Sequence, residues 1–480
     1  MGTIARRTWP RIAKGTRRQR KQQRRARRQA KRRLQTQIPK TARPLLHALS
    51  AGFTRPTFQR FMVLMFAAIL TVGRQTIVNV LRTVPALTLG HPSSYHRVFS
   101  KRRWSSWILA RILIGFILRQ WVSDGPVCLA GDDTVAEHRG KKVFGKACHR
   151  DAVRSSHSFT AYRYGHKWVV LAILVRFPFA RRPWALPVLM ALYHSKEWDE
   201  NHRRRHKTPS ELMRQLLAVL IHWFPTRKFI FAGDGGYGTH DLAHFAARRR
   251  GRLQLVSRFY AAANLYAPPP PKRKRNGRPR LKGKKLPSPA QVVQTSKRQR
   301  LNVAWYGGGR RNVEIVSDTG HWYKAGDGLV PVLWVFVHDR TGTHRDEYFF
   351  TTDVHMTPKD LIETFTSRWS IETTFQEMRA YLKLESTRGR TQQTVLRAAP
   401  CLFGLFSVIV LWYAQLPACR QRRSIDWPGK TDTTFSDAIT AVRRWLWLDW
   451  VFATPAHYQA FTKISRPLQA TLLYALAPAA

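Results

Sequence analysis

Two short apolar segments, each running into an aspartate, constrain the fold of this 480-residue chain more than any other feature. Val127–Ala130 leads to Asp132, and Lys228–Ala232 leads to Asp234. Residues 168–177 are almost wholly apolar, which is typical of a buried strand. Because such strands alternate with helical patterns, the order predicts an α/β fold with a mixed sheet and flanking helices. Functional side chains concentrate at the carboxyl ends of strands in such sheets, so both aspartates are candidate site residues.

A third acid, Glu372, lies in a segment whose pattern predicts one helix over 358–384. On a helical wheel it shares a narrow stripe with Phe365, Arg368, Arg379 and Lys383. An adjoining apolar flank is expected to pack on the sheet, and its members are Ile371, Phe375, Met378 and Leu382. Arg368 and Glu372 also form an i,i+4 pair, so an ordinary solvated salt bridge is the alternative interpretation. Beside two strand-end aspartates, the stripe indicates an acid among phosphate-binding cations.

Three carboxylates from separate elements suit the metal-assisted chemistry of a phosphodiester. Two divalent ions about 3.5–4 Å apart activate the attacking oxygen and stabilise the leaving one, and hard carboxylate oxygens suit Mg²⁺ (or Mn²⁺). We therefore predict that Asp132, Asp234 and Glu372 are catalytic and bind two ions, with Asp133 as the alternative to Asp132. Six cations are expected to bind DNA phosphates: Arg368, Arg379, Lys383, Arg258, Lys141 and Lys142.

The charge balance indicates the partner. The chain has 83 Lys and Arg against 27 Asp and Glu, a formal net charge of +56. Such a chain repels itself unless it neutralises a polyanion, and nucleic acid is favoured over an anionic membrane surface. The four cysteines show neither a disulfide framework nor zinc spacing. The apolar run over 400–417 is interpreted as a buried core helix, so no membrane association is predicted.

Composition and periodicity divide the chain into six parts. These are a basic arm (1–45), a helical DNA-binding domain (46–122), the first part of the catalytic core (123–265), a basic loop with a β-rich insertion (266–352), the second part of the core with the Glu372 helix (353–425) and a helical tail (426–480).

At these residues the chain resembles insertion-sequence transposases of the DDE class. In a large subgroup the helix of the third acid reads Tyr-x2-Arg-x3-Glu-x6-Lys, and Phe365, Arg368, Glu372 and Arg379 have the same spacing. Phe replaces Tyr and Arg replaces Lys, and the first change removes a hydroxyl. The family's first acid precedes x-Thr or x-Ser, as Asp132 does, and its second acid begins Asp-x-Gly-Tyr, as in residues 234–237. The resemblance covers about residues 100–420.

The resemblance implies an RNase H-like core and cut-and-paste transposition. The enzyme would bind the inverted-repeat ends of a transposon, cleave there and join the freed 3′-hydroxyls to target DNA. A homodimer on DNA, in the cytoplasm and nucleoid of a bacterial cell, is the expected setting. Two alternatives remain open: a basic nucleic-acid-binding protein without catalysis, and an RNase H-like nuclease without strand transfer. DNA cleavage would exclude the first alternative, and joining of a 3′-end to target DNA would exclude the second.

Overall fold

A computed structural model gives the fold. It describes residue 22 and residues 38–151, 155, 158–249, 251–270, 280–421 and 428–478. Most of the predicted basic arm, part of the basic loop after residue 270 and the start of the strand predicted at His157 therefore lie outside the described residues.

Five helices form the N-terminal part of the described chain. They are α1 (Arg43–Ser50), α2 (Arg55–Leu70), α3 (Ile77–Thr83), α4 (Ser93–Ser100) and α5 (Ser106–Trp121). A proline in the first turn favours the starts of α1 and α2, because it lacks an N–H that would be unpaired there. The Thr76 and Ser105 side chains cap α3 and α5 by accepting backbone N–H groups. This confirms the predicted helical region before the sheet.

The central sheet begins with six strands. They are β1 (Val127–Glu137), β2 (Ala147–Arg150), β3 (Tyr162–Val175), β4 (Trp184–Tyr193), β5 (Phe229–Gly233) and β6 (Leu253–Arg258). The spatial order β4-β3-β1-β5-β6 has β1, β5 and β6 parallel and β3 antiparallel to its neighbours. This mixed order is the RNase H-like arrangement. Helices α6 (Lys196–Asn201), α7 (Pro209–Trp223) and α8 (His240–Ala247) connect the later strands.

Two strand boundaries differ from the predictions. β1 does not end at Asp132 but continues to Glu137, because Thr134–Glu137 pair with residues 165–168 of β3. The two strands predicted over 157–164 and 168–177 are one strand, Tyr162–Val175, in the described residues. Both differences arise from hydrogen bonds to strands distant in sequence, which a local pattern does not reveal.

The predicted β-rich insertion extends the same sheet. It contains β7 (Leu265–Tyr266), α9 (Pro289–Thr295), β8 (Gln299–Ala304), β9 (Arg310–Lys324), β10 (Gly328–Asp339) and β11 (Glu347–Thr351). Strand β11 pairs antiparallel with β6, so the ladder runs without a break from the central strands into the insertion. A separate apolar cluster, which includes Val313, Val335 and Phe349, packs beneath this part.

Six helices complete the described chain. They are α10 (Pro358–Ser367), α11 (Ser370–Tyr381), α12 (Gln392–Gln415), α13 (Phe435–Leu446), α14 (Pro455–Lys463) and α15 (Arg466–Leu476). By length and composition α12 could cross a membrane, but 61% of its most apolar window is buried within the protein. The helix packs against β4 and α13, in keeping with its interpretation as a core helix.

The single helix predicted over 358–384 begins at Pro358 as predicted, but the prediction is wrong in the helix's continuity. It is broken into α10 and α11 at Arg368 and Trp369, and Lys383 has a left-handed backbone, with φ of 49°, beyond the end of α11. Phe365 does not join the polar stripe: it is fully buried, 4.3 Å between ring centroids from Phe349. The predicted apolar flank is confirmed, because Ile371 and its three companions are all buried.

Candidate active site

The two predicted aspartates lie side by side. Strands β1 and β5 are parallel neighbours, and Gly131 of β1 pairs with Gly233 of β5. Asp132 follows Gly131 and Asp234 follows Gly233, so the two aspartates occupy the same level of the sheet. Burial is the main cause of the raised pKa of Asp132, and repulsion by Asp234 adds to that rise, as expected for neighbouring like charges.

The backbone around Asp234 is held tightly. Its side chain accepts a hydrogen bond from Gly236 N at 3.0 Å, and its carbonyl accepts one from Ser257 Oγ at 2.7 Å. A Cβ on Gly233 would lie 2.6 Å from Cβ of Tyr237, closer than real Cβ atoms come to a neighbour. The glycine before Asp234 is therefore required by the close approach of the turn that follows.

One arginine joins Glu372 to Asp132. Nη1 of Arg368 lies 3.2 Å from Oδ2 of Asp132, and Nη2 lies 2.9 Å from Oε1 of Glu372. The Arg368 side chain is only 7% exposed, against 39% for Glu372. Arg368 reaches this position because it lies at the junction of α10 and α11, while Thr374 anchors α11 by donating to the Ala185 carbonyl of β4. The predicted i,i+4 pair therefore exists, but it is part of a three-residue contact.

The environment of Asp132 opposes its ionisation. Burial raises the pKa of this carboxyl to about 7, the Arg368 guanidinium counteracts part of the rise, and Asp234 and Asp133 add to it. A carboxylate that is buried among other carboxylates is costly without a nearby cation. Perturbation of this kind is typical of functional sites.

Asp133 points to the opposite face of β1, since successive side chains of a strand alternate. It forms an ion pair with Lys167 of β3, with 3.0 Å between Oδ2 and Nζ. Its backbone N–H donates to Oδ1 of Asp132 at 2.7 Å, which helps to orient the first aspartate. The geometry favours Asp132 over Asp133 as the partner of Glu372.

Tyr237 belongs to the site and had no role in the sequence-based predictions. It is 2% exposed, and its hydroxyl has no hydrogen-bond partner among the described residues. Burial first, and then Asp133, Asp132 and Asp234, raise the pKa of its phenol well above the usual value. The signal was present in the sequence, since Tyr237 completes the Asp-x-Gly-Tyr motif, but its nearness to the aspartates depends on the fold.

Besides Arg368, two further predicted phosphate ligands contact the protein itself. Nη2 of Arg379 donates to Oγ1 of Thr134 on β1, so this arginine connects α11 to the strand of Asp132. Its Nε lies 3.6 Å from Oε1 of Glu385. Arg258 forms a 2.6 Å ion pair with Glu347.

Lys383 lies just beyond α11, and Lys141 and Lys142 are exposed after β1. For all six predicted cations, Arg368 included, contact with DNA stays a prediction.

The donor chemistry of the site fits a divalent ion. Asp132, Asp234 and Glu372 supply carboxylate oxygens, the ligand type that Mg²⁺ prefers. In the part of the chain that the structure describes, no group of three or more His, Cys, Asp or Glu side chains has metal-binding geometry as it stands. Arg368 instead contacts two of the three acids, so this arginine provides the positive charge between them.

Comparison with known families assigns the class of protein. The model of the DDE superfamily endonuclease matches residues 48–312, more than half of the chain, including Asp132 and Asp234. The chain therefore belongs to the DDE superfamily of endonucleases. A second model, that of the archaeal ISC1217 transposase, matches residues 323–397, which include Glu372. Together the two matches identify a DDE transposase.

Structural comparison gives a distant likeness. The cryo-EM structure of the piggyBac transposase synaptic complex with hairpin DNA has 10% sequence identity to this chain and a TM-score of 0.37. The likeness covers 90% of this chain and 81% of that one. No curated protein matches the chain. Membership of the family rests on the sequence models alone.

Proposed function

We propose that this transposase cleaves DNA at the ends of a transposon and transfers the freed 3′-ends to target DNA. One observation carries the proposal: Asp132 and Asp234 follow paired glycines of adjacent parallel strands, and Arg368 links Asp132 to Glu372. Three acids from three separate elements thereby converge on one region. This arrangement is costly for the fold and is explained by use in catalysis.

Asp132, Asp234 and Glu372 would hold two divalent ions, Mg²⁺ or Mn²⁺. When bound, these ions would activate the attacking oxygen and stabilise the leaving one. The protein itself orients the acids: Asp234 through the Gly236 N–H, Asp132 through the Asp133 N–H and Arg368, and Glu372 through Arg368. Arg368 also contacts two of the acids directly and would bind a phosphate of the scissile strand.

The charge of the chain supports DNA as the partner. A net charge of +56 gives strong, salt-dependent attraction to phosphates through counterion release. We propose that the substrates are the inverted-repeat ends and the target DNA. We further propose that a homodimer holds the ends, in the cytoplasm and nucleoid of a bacterium.

The test uses full-length protein with DNA that carries the flanks of its own gene. We expect Mg²⁺-dependent nicking at the element ends and joining of the 3′-ends to a supercoiled plasmid. Asp132→Asn, Asp234→Asn and Glu372→Gln keep the shape of each side chain and remove its charge. Each should abolish nicking and leave the DNA gel shift intact.

The alternative functions give different results in the same assay. Nicking without joining would indicate an RNase H-like nuclease, and DNA binding without nicking by the wild type would indicate a binding protein. Nicking that survives any of the three substitutions would refute the proposed catalytic set.

A further inference from the structure

Two tyrosines stand out of the sheet beyond the active site. Tyr162 and Tyr164 of β3 are 63% and 60% exposed, although large aromatic side chains are usually covered in a sheet. They are two residues apart on one strand, so both point to the same face. Across the pair of strands, Tyr162 lies opposite Arg150 and Tyr164 lies opposite Cys148 of β2. The strand pair therefore presents a short ladder of rings with a cation beside it.

Further cations surround these rings. Nζ of Lys146 lies 5.7 Å from the centre of the Tyr164 ring, in cation–π contact. Arg388 and Arg390 lie on the loop after α11, and with Lys146 they lower the pKa of the neighbouring His138, after burial of its ring. That loop is joined to the same region, since Phe144 N donates to the Arg390 carbonyl at 3.0 Å. We call the tyrosines and their cations the basic aromatic surface: Tyr162, Tyr164, Lys146, Arg150, Arg388 and Arg390.

The acids next to this surface are held by one arginine. Arg163 points to the other face of β3 from the two tyrosines, and it lies 3.8 Å from Glu137, 3.5 Å from Asp151 and 3.3 Å from Glu385. Asp151 is also buried. Arg139 also pairs with Glu137, and Arg379 pairs with Glu385, so the acidic charge is balanced within the protein and the exposed side presents rings with positive charge.

The basic aromatic surface and the catalytic acids share a sheet face. Asp132 of β1 is paired with Val170 of β3, and Tyr164 is six residues from Val170 on that strand. An even spacing gives the same face, and a rise of about 3.4 Å per residue gives a separation of about 20 Å along the strand. The face between them is covered, since His166 and Trp168 are buried there, so a DNA strand held at Asp132 would pass over this cover to meet the tyrosines.

We propose that the basic aromatic surface binds unpaired nucleotides of the DNA. Base faces are available for stacking only where the partner strand is absent or displaced, and exposed aromatic rings beside a basic track are suited to them. Duplex DNA would meet the cations but offer its bases no access to the rings. The inference adds a binding surface to the proposed function, and it is testable without catalysis.

The test is a binding titration with two fluorescent probes, a single-stranded oligonucleotide and the duplex of the same sequence. The paired variant Tyr162→Ala/Tyr164→Ala should weaken single-strand affinity by about tenfold or more, because each stacked ring contributes measurably. Duplex affinity should change by less than about threefold, since the cations remain. The variant Tyr162→Phe/Tyr164→Phe should retain single-strand affinity, because stacking needs the ring and not the hydroxyl.

Tyr458→Ala is the matched control, since Tyr458 of α14 is 59% exposed and far along the chain. It should leave both affinities unchanged. The proposal is overturned if the paired alanine variant binds single strands like the wild type. It is equally overturned if duplex affinity falls by the same factor. Because the readout is binding, absence of nicking in the wild type would refute the proposed function without affecting this result.

Discussion

Nη1 of Arg368 lies 3.2 Å from Oδ2 of Asp132, and the same guanidinium reaches Glu372. A planar side chain thus joins an acid of the central strand to an acid of a helix 240 positions further along the chain. The single positive charge of the arginine offsets part of the negative charge of these two carboxylates, whose proximity would otherwise be costly. The same charge competes with any divalent ion for these oxygens.

Arg368→Ala should therefore strengthen metal binding in the absence of DNA. We expect Mn²⁺ to raise the melting temperature at an about tenfold lower concentration than for the wild type, because an opposing charge within a few ångströms is removed. Arg214→Ala is the control, since Arg214 pairs with Asp241 and not with the proposed catalytic acids. An unchanged Mn²⁺ dependence in Arg368→Ala would show that the arginine does not oppose the ion.

The two adjacent aspartates should respond differently to substitution. Asp132→Asn should abolish nicking, whereas Asp133→Asn should keep it within about tenfold of the wild-type rate, because Asp133 faces away and pairs with Lys167. Initial rates of Mg²⁺-dependent plasmid nicking measure both. The reverse ranking would assign the metal ligand to Asp133.

Gly233→Ala should impair catalysis through position alone. The added methyl group would collide with Tyr237 and push apart β5 and the turn that carries Asp234. A shift of about 1 Å at a catalytic group lowers rates by about 100-fold, so we expect that loss of nicking with DNA affinity retained. Ala247→Ser on α8 is the control, because it also enlarges a small residue but lies away from the turn of Asp234. Gly251 is unsuitable as a control position, because its positive φ would strain any substituted residue. A wild-type rate for Gly233→Ala would contradict the tight turn.

The protein should lose stability in mild acid. Burial lowers the pKa of His166 to about 4, although its ring nitrogen contacts the Phe144 carbonyl at 2.9 Å. The folded-state pKa of His166 lies below its unfolded-state pKa. The neutral ring therefore contributes its full stability above about pH 6.5, and this contribution to the free energy of unfolding declines as the pH falls towards 4. Between these two pH limits, the loss in the free energy of unfolding is on the order of 3 kcal/mol. Urea unfolding at several pH values should show a shallower decline for His166→Asn. An equal slope would exclude His166 as a cause.

Arg379→Ala should lower stability by about 1–3 kcal/mol, because a side chain that ties α11 to β1 is lost and the Thr134 hydroxyl and Glu385 lose a partner. Thermal or urea unfolding measures this loss. A separate contact with phosphate would also reduce the slope of log affinity against log salt by about one. No change in stability would mean that the contact with Thr134 contributes little.

Local patterns predicted the strands beside the candidate site better than the contacts between its residues. Apolar runs next to Asp132 and Asp234 indicated strands, and the fold has them. The continuation of β1 past Asp132 was not predictable, because residues 134–137 are strand only through pairing with β3. The break at Arg368 was missed for a similar reason: Phe365 looks like a member of the polar stripe until its packing on Phe349 is known. The contact of Arg368 with Asp132 depends on the continuation of β1 and on the break between α10 and α11.

Strand β11 of the insertion is hydrogen-bonded to β6, which is itself the neighbour of β5. Three residue pairs make this connection, Phe349 with Arg258, Phe350 with Ser257 and Thr351 with Val256. The insertion therefore belongs to the same hydrogen-bonded sheet as the strand that ends at Asp234. A substitution that weakens the pairing of β11 with β6 would thus be expected to disturb the neighbour of β5 as well as the insertion.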